Sequence, residues 1–386
     1  MSTDDVPRRR VLGASVAGLG ALAAPAVPDP AAAEPSQHLK GQAMLMYRAV
    51  AMQIECLPIN ASTSKAEARA MMMAAITRLK ITIPGSRIYA GNGVKLVVLP
   101  EYVFTGFPMG TAIPKWADWA AVDVGGPEYE ALARIAQDNN IYLCGNAYER
   151  DANFPGIFFQ ACFIFDPSGK HILRYRRLTS MFSPTPHDYW DKYLDLYGWE
   201  GVFPVAKTEI GNLAAIASEE IQYPELVRCF ALRGAEVLCH PSAEPLLTGL
   251  TPKDIAKRAR AIENLAYVVS ANVAGHRDIP FLDKTCDGLS KIIDYQGRVL
   301  AEAGPGESVT AAADINITAL RRHRNTADIN NFLPRLRMEL YADTYARKDF
   351  YPANTLMKTD PTPQHFGAVQ RQVIERLRQA GIIGAE

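Results

Sequence analysis

The sequence predicts an α/β layered domain, and three observations lead to this fold class. Apolar segments of strand length alternate with segments whose apolar residues recur at helical spacing, in two similar rounds. A hairpin follows each round, turning at PSGK of residues 167–170 in the first and at QG of residues 296–297 in the second. No fixed-period repeat or low-complexity linker interrupts residues 45–315, so we predict one domain there.

The composition is that of a folded protein and excludes several functional classes. Of the 386 residues, 48% are hydrophobic and 21% are charged, and 41 Lys and Arg balance 41 Asp and Glu. A neutral chain lacks the charge surplus that binds nucleic acids or anionic membranes. The six cysteines form no CxxC pair, the histidines form no HxH or HExxH motif, and no glycine-rich phosphate-binding motif occurs. We therefore expect no metal, no cofactor and no nucleic-acid partner.

The first 33 residues have the features of an export signal. The arginines of residues 8–10 precede a weakly apolar run rich in Gly and Ala, and the alanines of residues 31–33 offer a small-residue cleavage site. Paired arginines before such a run are typical of a twin-arginine signal. The run is too short and too weakly apolar to predict a membrane span. We predict export to the periplasm or beyond, without a membrane anchor; a disordered basic leader is the alternative.

Within the domain, hydrophobic patterns and turn residues predict the order of strands and helices. A capping-box spacing from Ser64 to Glu67 predicts a helix that ends near Leu79. The segment KLVVLP, residues 95–100, is typical of a strand buried on both faces. The other predicted strands are residues 48–58, 141–149, 158–166, 171–178, 213–217, 236–241 and 266–275, and residues 290–303 form a further predicted hairpin. The other predicted helices are residues 127–140, 225–233 and 251–264.

A C-terminal arm of residues 321–386 follows the domain. Its last helix places Val369, Val373 and Leu377 on one apolar stripe, which must be buried against another surface. Two surfaces remain open at this point, namely the arm's own domain and a second subunit. We predict an oligomer contact, and hence a homodimer or a higher homo-oligomer.

Four polar residues stand at the ends of predicted strands and form the candidate active site. Reactive groups of α/β proteins gather in the loops at the carboxyl ends of strands. Glu101 follows KLVVLP, Glu149 ends the strand of residues 141–149, Arg177 ends the second hairpin strand, and Ser218 follows LAAIA. We expect these four side chains to converge on one pocket for a small-molecule substrate.

Several segments resemble the nitrilase, or carbon–nitrogen hydrolase, superfamily. They are LPEYVFTGFP, YRRL after the PSG turn, IASEEIQYPELVRCFALRGAEVLCHPSA and RARAIENLAYVVSANVAG, and they follow the family's order over residues 45–315. The resemblance implies an α-β-β-α sandwich whose four layers form when two subunits pack together. It also implies hydrolysis of a small amide, nitrile or carbamoyl compound through a covalent acyl-enzyme, without a cofactor.

Members of that family are similar in carrying a Glu–Lys–Cys triad and a second glutamate. Carried over residue by residue, Glu101 in LPEYVFTG matches the general base, and Glu149 in YERD matches the second glutamate. The lysine of the family's Y-R-K motif falls at Arg177, and the cysteine before the acidic pair falls at Ser218. The candidate substrate-binding residues are Tyr102, Glu219 and Tyr223.

Two of the three triad positions thus depart from the family, and both departures weaken the expected chemistry. A thiol with a pKa of about 8.5 is partly ionised near neutrality, whereas a serine hydroxyl needs a well-matched base. Arg177 keeps a positive charge but cannot give up its proton to a leaving amine. Cys229 and Cys239 fall in a predicted helix and a predicted strand instead of the loop, which argues against another thiol as the nucleophile.

The altered triad leaves three hypotheses open. The first is an exported hydrolase of small amides, nitriles or carbamoyl compounds that uses Ser218 with Glu101 and Arg177. The second is a pseudoenzyme that binds a small amide or carboxylate without turning it over. The third, which rests on the C-terminal arm, is a role in assembly. Substitution of Ser218 distinguishes them, because it abolishes turnover in the first and changes at most ligand affinity in the second.

Overall fold

The structure, a computed structural model, describes residues 44–244, 250–279, 288–346 and 350–384. All of them belong to one compact unit, Met44–Glu386. The predicted export signal lies outside the described residues, so export stays a prediction. Within the described segments, no helix combines the length and the apolar character that crossing a membrane requires.

Twelve strands and nine α-helices make up the described part of the chain. The strands are β1 Met46–Gln53, β2 Val94–Val98, β3 Tyr142–Glu149, β4 Phe159–Phe165, β5 His171–Arg176, β6 Ala206–Thr208, β7 Gly211–Ala215, β8 Val237–Ser242, β9 Tyr267–Asn272, β10 Lys291–Ile293, β11 Val299–Glu302 and β12 Ser308–Asn316. The helices are α1 Lys65–Ala90, α2 Ile113–Trp119, α3 Pro127–Asn139, α4 Trp190–Val202, α5 Pro224–Leu232, α6 Pro252–Asn264, α7 Ile317–Arg324, α8 Glu339–Ala346 and α9 Pro363–Gln379.

The strands form two six-stranded sheets with the same plan. The first has the order β12-β1-β2-β3-β4-β5, and the second has the order β11-β10-β9-β8-β7-β6. In each sheet three consecutive strands run parallel, β1 to β3 in one and β7 to β9 in the other, and the hairpin strands pair antiparallel beside them. The two rounds of the sequence pattern are therefore the two sheets.

The sheets pack face to face, and helices cover their outer faces. Leu96 of the first sheet and Val237 of the second belong to one buried cluster, which also contains Phe230 of α5. A second cluster joins the outer face of the first sheet to α1 and α3, with Val97 and Leu132 among its members. The predicted α-β-β-α class is confirmed, but one chain supplies all four layers without a second subunit. Parallel strands that are apolar on both faces require cover on both sides, and this chain provides it.

Helix α1 is longer than its sequence pattern predicted. Ser64 caps it by accepting a hydrogen bond from the backbone N–H of Glu67 at 3.2 Å, as the capping box indicated. The helix does not end near Leu79; it continues through Pro84 to Ala90. A proline inside a helix removes one backbone hydrogen bond. Buried residues on both sides of Pro84, including Ile83, show that packing outweighs this loss.

The C-terminal arm packs at least partly on its own domain. Phe366 and Val369 of α9 are buried, and Phe366 joins Leu356 in the cluster beneath the first sheet. Val373, farther along the same stripe, is only partly buried, and α8 buries no residue within the described chain. The contact of the arm with another subunit stays a prediction.

Candidate active site

Ser218 lies on the sharp turn between strand β7 and helix α5. It begins the 3-10 turn Ser218–Gln222, it is buried, and its backbone φ is +47°. Left-handed backbone costs a non-glycine residue about 1–3 kcal/mol and persists where the surroundings enforce it. Such strain at a strand-to-helix turn is frequent at functional sites, so Ser218 differs from an ordinary loop serine.

His240 of β8 holds the backbone of Ser218 in place. Its Nε2 lies 2.8 Å from the Ser218 carbonyl oxygen and its Nδ1 lies 2.8 Å from Ser270 Oγ. A carbonyl oxygen only accepts, so Nε2 carries the proton and Nδ1 accepts from the Ser270 hydroxyl. Burial, followed by the charge of Lys257, lowers the pKa of His240 well below its usual range, which keeps this imidazole neutral.

Lys253 contacts the hydroxyl of Ser218. Its Nζ lies 3.0 Å from Ser218 Oγ and 3.4 Å from the carbonyl oxygen of Ala243. Lys253 stands in the first turn of α6, which Thr251 caps. Because α6 starts near the carboxyl end of β8, its first turn reaches the same edge of the sheet as Ser218. Among the described residues, Lys253 is the one side chain that hydrogen-bonds the Ser218 hydroxyl.

Glu101, beyond the end of β2, is buried and has partners at both carboxylate oxygens. Oε1 accepts a hydrogen bond from Gln160 Nε2 at 2.5 Å, and Oε2 accepts one from the backbone N–H of Ala243 at 2.9 Å. Ala243 is also the residue whose carbonyl oxygen Lys253 approaches. Glu101 and Lys253 therefore lie on either side of the same backbone residue.

Arg177, directly after β5, links Glu101 to the turn that carries Ser218. Its Nη1 donates to Gln160 Oε1 at 2.9 Å and lies 3.8 Å from Glu101 Oε1, while its Nη2 forms an ion pair with Glu219. Its Nε donates to the carbonyl oxygen of Thr179 at 2.6 Å. The planar fork of a guanidinium suits several simultaneous contacts of this kind, and a lysine could not make them all.

The structure thus brings together three of the four residues that stand at predicted strand ends. Glu101, Arg177 and Ser218 form a continuous cluster with Gln160 and Lys253. Two predicted substrate-binding residues are more exposed than this cluster: the side chain of Glu219, which pairs with Arg177, is 35% exposed, and Tyr223 is 45% exposed.

Comparison with known proteins identifies the family. The carbon-nitrogen hydrolase family model matches residues 48–325. The chain belongs to the carbon–nitrogen hydrolase family. A hydrolase of Schizosaccharomyces pombe is 30% identical over 241 residues, which cover 62% of this chain and 72% of that protein. The human omega-amidase NIT2 is 27% identical over 259 residues, which cover 67% of this chain and 87% of the human protein.

A solved structure supports the fold of this member of the carbon–nitrogen hydrolase family. Saccharomyces cerevisiae Nit3, a member of branch 10 of the nitrilase superfamily, aligns with a TM-score of 0.57 at 21% identity. The alignment covers 74% of this chain and 95% of the yeast chain. The family expected from the sequence segments is confirmed by the family model, and this alignment confirms the α/β sandwich.

Tyr102, predicted to bind substrate, lies directly beside Glu101 with a backbone φ of +60°. Its ring stacks on that of Tyr148, with centroids 5.8 Å apart. Burial and then the charge of Glu101 raise the pKa of Tyr102 above its usual range, so its hydroxyl stays neutral. This hydroxyl interacts with Glu101 and Tyr148, and contact of Tyr102 with a substrate stays a prediction.

Glu220, next to the predicted Glu219, contacts a different set of residues. Its Oε1 accepts hydrogen bonds from the backbone N–H groups of Leu178 and Thr179 at 2.8 and 2.9 Å, and its Oε2 accepts one from Tyr175 Oη at 2.6 Å. Burial raises the pKa of Glu220 to about 7. Glu220 therefore ties the Ser218 turn to the segment that follows Arg177.

Glu149 lies apart from this cluster. Its Oε1 accepts hydrogen bonds from Arg176 Nε and Nη2 at 3.1 and 2.6 Å, and its Oε2 accepts one from Tyr129 Oη at 3.4 Å. Side chains alternate between the two faces of a strand, so Glu149 lies on the helix-covered face of the first sheet together with Ala147. Within the described part of the chain, Glu149 makes no hydrogen bond or ion pair with Glu101, Arg177 or Ser218.

Neither Cys229 nor Cys239 supplies a thiol at the turn that carries Ser218. Cys239 is buried inside β8, where its backbone pairs with Ala215 of β7. Cys229 lies in α5, and burial raises the pKa of its thiol. Cys286 belongs to residues outside the described structure.

Sequence reasoning missed two residues of the cluster, Gln160 and Lys253. Gln160 is a single polar residue in the apolar strand FQACFIF, and a buried amide in such a strand must have hydrogen-bonding partners. Lys253 is a basic residue in the first turn of a helix, where the helix dipole favours acidic residues. Both local exceptions were visible in the sequence, but neither one indicates which side chain it contacts.

Proposed function

We propose that this protein hydrolyses the C–N bond of a small amide through a covalent ester on Ser218. Membership of the carbon–nitrogen hydrolase family supports this reaction class. An amide is favoured over a nitrile because one of the similar proteins is an omega-amidase. In the proposed reaction Ser218 Oγ attacks the amide carbon, ammonia or an amine leaves, and water cleaves the ester to release the acid.

The setting of Ser218 is the observation that supports this proposal most. The residue combines a strained backbone, a neutral histidine that fixes its carbonyl group, and an amine at hydrogen-bond distance from its hydroxyl. Arg177 and Glu101 place a positive and a negative charge beside it in a largely buried site, where charges act strongly on a reacting group. An unused loop serine has no need for any of these features.

A pseudoenzyme is the second candidate, and one observation favours it. Both oxygens of Glu101 are already hydrogen-bonded, to Gln160 and to Ala243, and neither bond involves the Ser218 hydroxyl. If Glu101 alone had to accept the serine proton, the hydroxyl would remain unactivated. The protein would then bind a small amide or carboxylate without turning it over.

Ammonia release by the purified protein tests the proposal. The substrates would be monoamides of short dicarboxylic acids, other aliphatic and aromatic amides, nitriles and carbamoyl compounds. We expect Ser218→Ala to lower kcat/KM by about 1,000-fold or more, because the nucleophile is lost. Ser168→Ala is the control, since Ser168 is an exposed hairpin serine.

Three outcomes separate the two candidate functions. Turnover by the wild type that disappears in Ser218→Ala supports the hydrolase. Equal turnover in both proteins contradicts Ser218 as the nucleophile. Calorimetric binding of an amide or carboxylate without ammonia release supports the pseudoenzyme, and activity gained in Ser218→Cys would then show that the rest of the site is intact.

A further inference from the structure

We propose that Lys253 is a catalytic residue, namely the proton acceptor that activates the Ser218 hydroxyl. This assignment rests on the proposed function of Ser218 as the nucleophile. The contact that carries it is the hydrogen bond between Lys253 Nζ and Ser218 Oγ, at 3.0 Å. A general base must lie within about 2.6–3.2 Å of the atom whose proton it takes, and Lys253 meets that condition.

The two other groups near Ser218 that could accept a proton, Glu101 and His240, hydrogen-bond to atoms other than the Ser218 hydroxyl. Glu101 accepts hydrogen bonds from Gln160 and Ala243 at its two oxygens. His240 reaches the backbone carbonyl of Ser218 and not its hydroxyl, and its second nitrogen is occupied by Ser270. Among the described residues, Lys253 is thus the basic group whose lone pair can receive the Ser218 proton directly.

The surroundings of Lys253 favour the neutral amine that this role requires. Burial, more than any other influence, lowers the pKa of Lys253 below its usual range, and the charge of Lys257 acts in the same direction. The first turn of α6 adds to this, because the positive end of a helix disfavours a cation. The ionisable groups that oppose it are three carboxylates, those of Glu101, Glu244 and Glu219, and the imidazole of His240 beside them is neutral.

The carboxylate of Glu244 pairs with Lys257 and not with Lys253. Its Oε2 lies 2.9 Å from the Nζ of the buried Lys257, and its Oε1 accepts a hydrogen bond from the Thr251 hydroxyl. Glu219 is similarly paired with Arg177. Lys253 therefore has no carboxylate within ion-pair distance among the described residues, which is the condition under which a buried lysine loses its proton most readily.

The proton and the bonds balance through one cycle. Lys253 Nζ takes the proton of Ser218 Oγ as the Oγ–C bond forms, and it passes that proton to the leaving nitrogen as the C–N bond breaks. In the second half, Lys253 takes a proton from water while the hydroxide attacks the ester carbon. The C–Oγ bond breaks, and the proton returns to Ser218 Oγ. The sum is one amide and one water converted to one acid and one ammonia or amine.

The assignment connects the two departures of this chain from its family. Arg177 holds the place of the family's lysine, but its guanidinium does not exchange protons near neutral pH and is fixed by Gln160, Thr179 and Glu219. Lys253 supplies an amine to the same cluster from a different element, the start of α6. A serine nucleophile paired with a lysine base is an arrangement that proteins use on other folds.

The test compares Lys253→Met and Lys253→Arg with the full-length wild-type protein. Met keeps an unbranched side chain, one heavy atom shorter than that of Lys, without the amine, and Arg keeps the charge without a removable proton. We expect both variants to lose about 100-fold to 10,000-fold in kcat/KM, the usual contribution of a general base. The wild-type rate should rise with pH on an acid limb that both variants lack. Lys207→Met, at an exposed lysine of β6, is the matched control and should change neither quantity.

Labelling of Ser218 by a fluorophosphonate, followed by mass spectrometry, gives a second readout that needs no substrate. Lys253→Met should slow the labelling by about 100-fold or more. Equal labelling of the wild type and this variant overturns the proposal, and so does the absence of labelling in the wild type. Full activity of Lys253→Arg would also overturn the proposal, because it would show that the site needs only the positive charge of Lys253 and not its removable proton. If Ser218→Ala is inactive while Lys253→Met is fully active, this proposal fails alone; if Ser218→Ala is also active, the proposed function fails with it.

Discussion

Two consecutive arginines, Arg176 and Arg177, each lie near a glutamate at the end of a strand, but the two pairs differ in their surroundings. Arg176 Nη2 lies 2.6 Å from Glu149 Oε1, and the two side chains are 1% and 0% exposed. Arg177 Nη1 lies 3.8 Å from Glu101 Oε1, and the amide of Gln160 bridges the two residues. Because consecutive strand residues point to opposite faces, one pair lies under the helices and the other lies beside Ser218.

The difference shows how one sequence pattern gives one pair buried under the helices and one pair in the candidate active site. The guanidinium of Arg176 is also paired with Asp151 at 2.7 Å and packs against the ring of Phe159. The charged partners of Arg176 thus lie on the helix-covered side of the first sheet. Arg177 instead pairs with Glu219, whose side chain is 35% exposed. Of the two pairs, the second is the one that contacts the turn that carries Ser218.

Loss of Arg176 should give the largest effect, and the effect should be on stability. Arg176→Met leaves Glu149 buried without its contacting guanidinium, and removal of one partner from a buried ion pair costs about 3–5 kcal/mol. We expect the free energy of unfolding, measured in urea, to fall by that amount. The ammonia release per folded molecule should stay near the wild-type value, because Arg176 does not contact Ser218 or Lys253 among the described residues.

A neighbouring arginine provides the control for that variant. Arg174 lies 3.6 Å from the same Glu149 oxygen, but its side chain is 32% exposed, so Arg174→Met should cost less than about 1 kcal/mol. The double variant Glu149→Gln/Arg176→Met should recover part of the loss, since no buried charge is then left alone. A loss below about 1 kcal/mol in Arg176→Met would show that the pair is not structural.

Loss of the charge at Glu101 should change activity and its pH dependence with little effect on stability. Glu101→Gln keeps an acceptor for the Ala243 N–H. We expect kcat/KM to fall on the order of 10- to 100-fold, the size of loss that misplaced reacting groups cause. Glu101 raises the pKa of Lys253, so its removal lowers that pKa further. The acid limb of the rate should therefore move to lower pH.

The same pH profiles identify which group titrates. Glu149→Gln is the matched glutamate variant, and it should leave the limb where it is in the wild type. A limb that disappears in Glu101→Gln but persists in Lys253→Met would make Glu101 the proton acceptor. A limb that moves to higher pH in Glu101→Gln would contradict the electrostatic coupling between Glu101 and Lys253.

The sequence predicted the fold more completely than the site because hydrophobic periodicity is a local signal. The buried strand KLVVLP and both hairpins were located from composition and turn residues, and all are present. The end of α1 was placed about eleven residues too early, near Leu79 instead of Ala90, because a proline signals helix termination and local pattern does not reveal tertiary burial.

The site was predicted only in part because strand-end position does not specify a face. Glu149 and Glu101 were treated alike, yet the alternation within β3 places Glu149 on the helix-covered side. Counting alternate residues back from Glu149 to Ala147 and Leu143, both buried under the helices, indicates that side. Lys253 lies 35 residues after Ser218 and on another element, and only the folded sheet brings their side chains together.

Glu220 completes the comparison as a buried carboxylate with no guanidinium in direct contact among the described residues. Its hydrogen bonds come from Tyr175 and from the backbone of residues 178–179, and burial raises its pKa to about 7. An unfolded glutamate has a pKa of about 4.3, so between these values the folded protein keeps a proton that the unfolded chain has released. The free energy of unfolding should therefore fall as the pH rises through this window, by about 2–3 kcal/mol between about pH 5 and pH 8.

Glu220→Gln keeps the shape of the side chain and removes the proton exchange, so the free energy of unfolding, measured in urea at the two pH values, should depend less on pH. An unchanged slope in this variant would assign the pH dependence to another group. It would also mean that Glu220 stays ionised in the folded protein, where its hydrogen bonds would stabilise the carboxylate as the guanidinium of Arg176 stabilises Glu149.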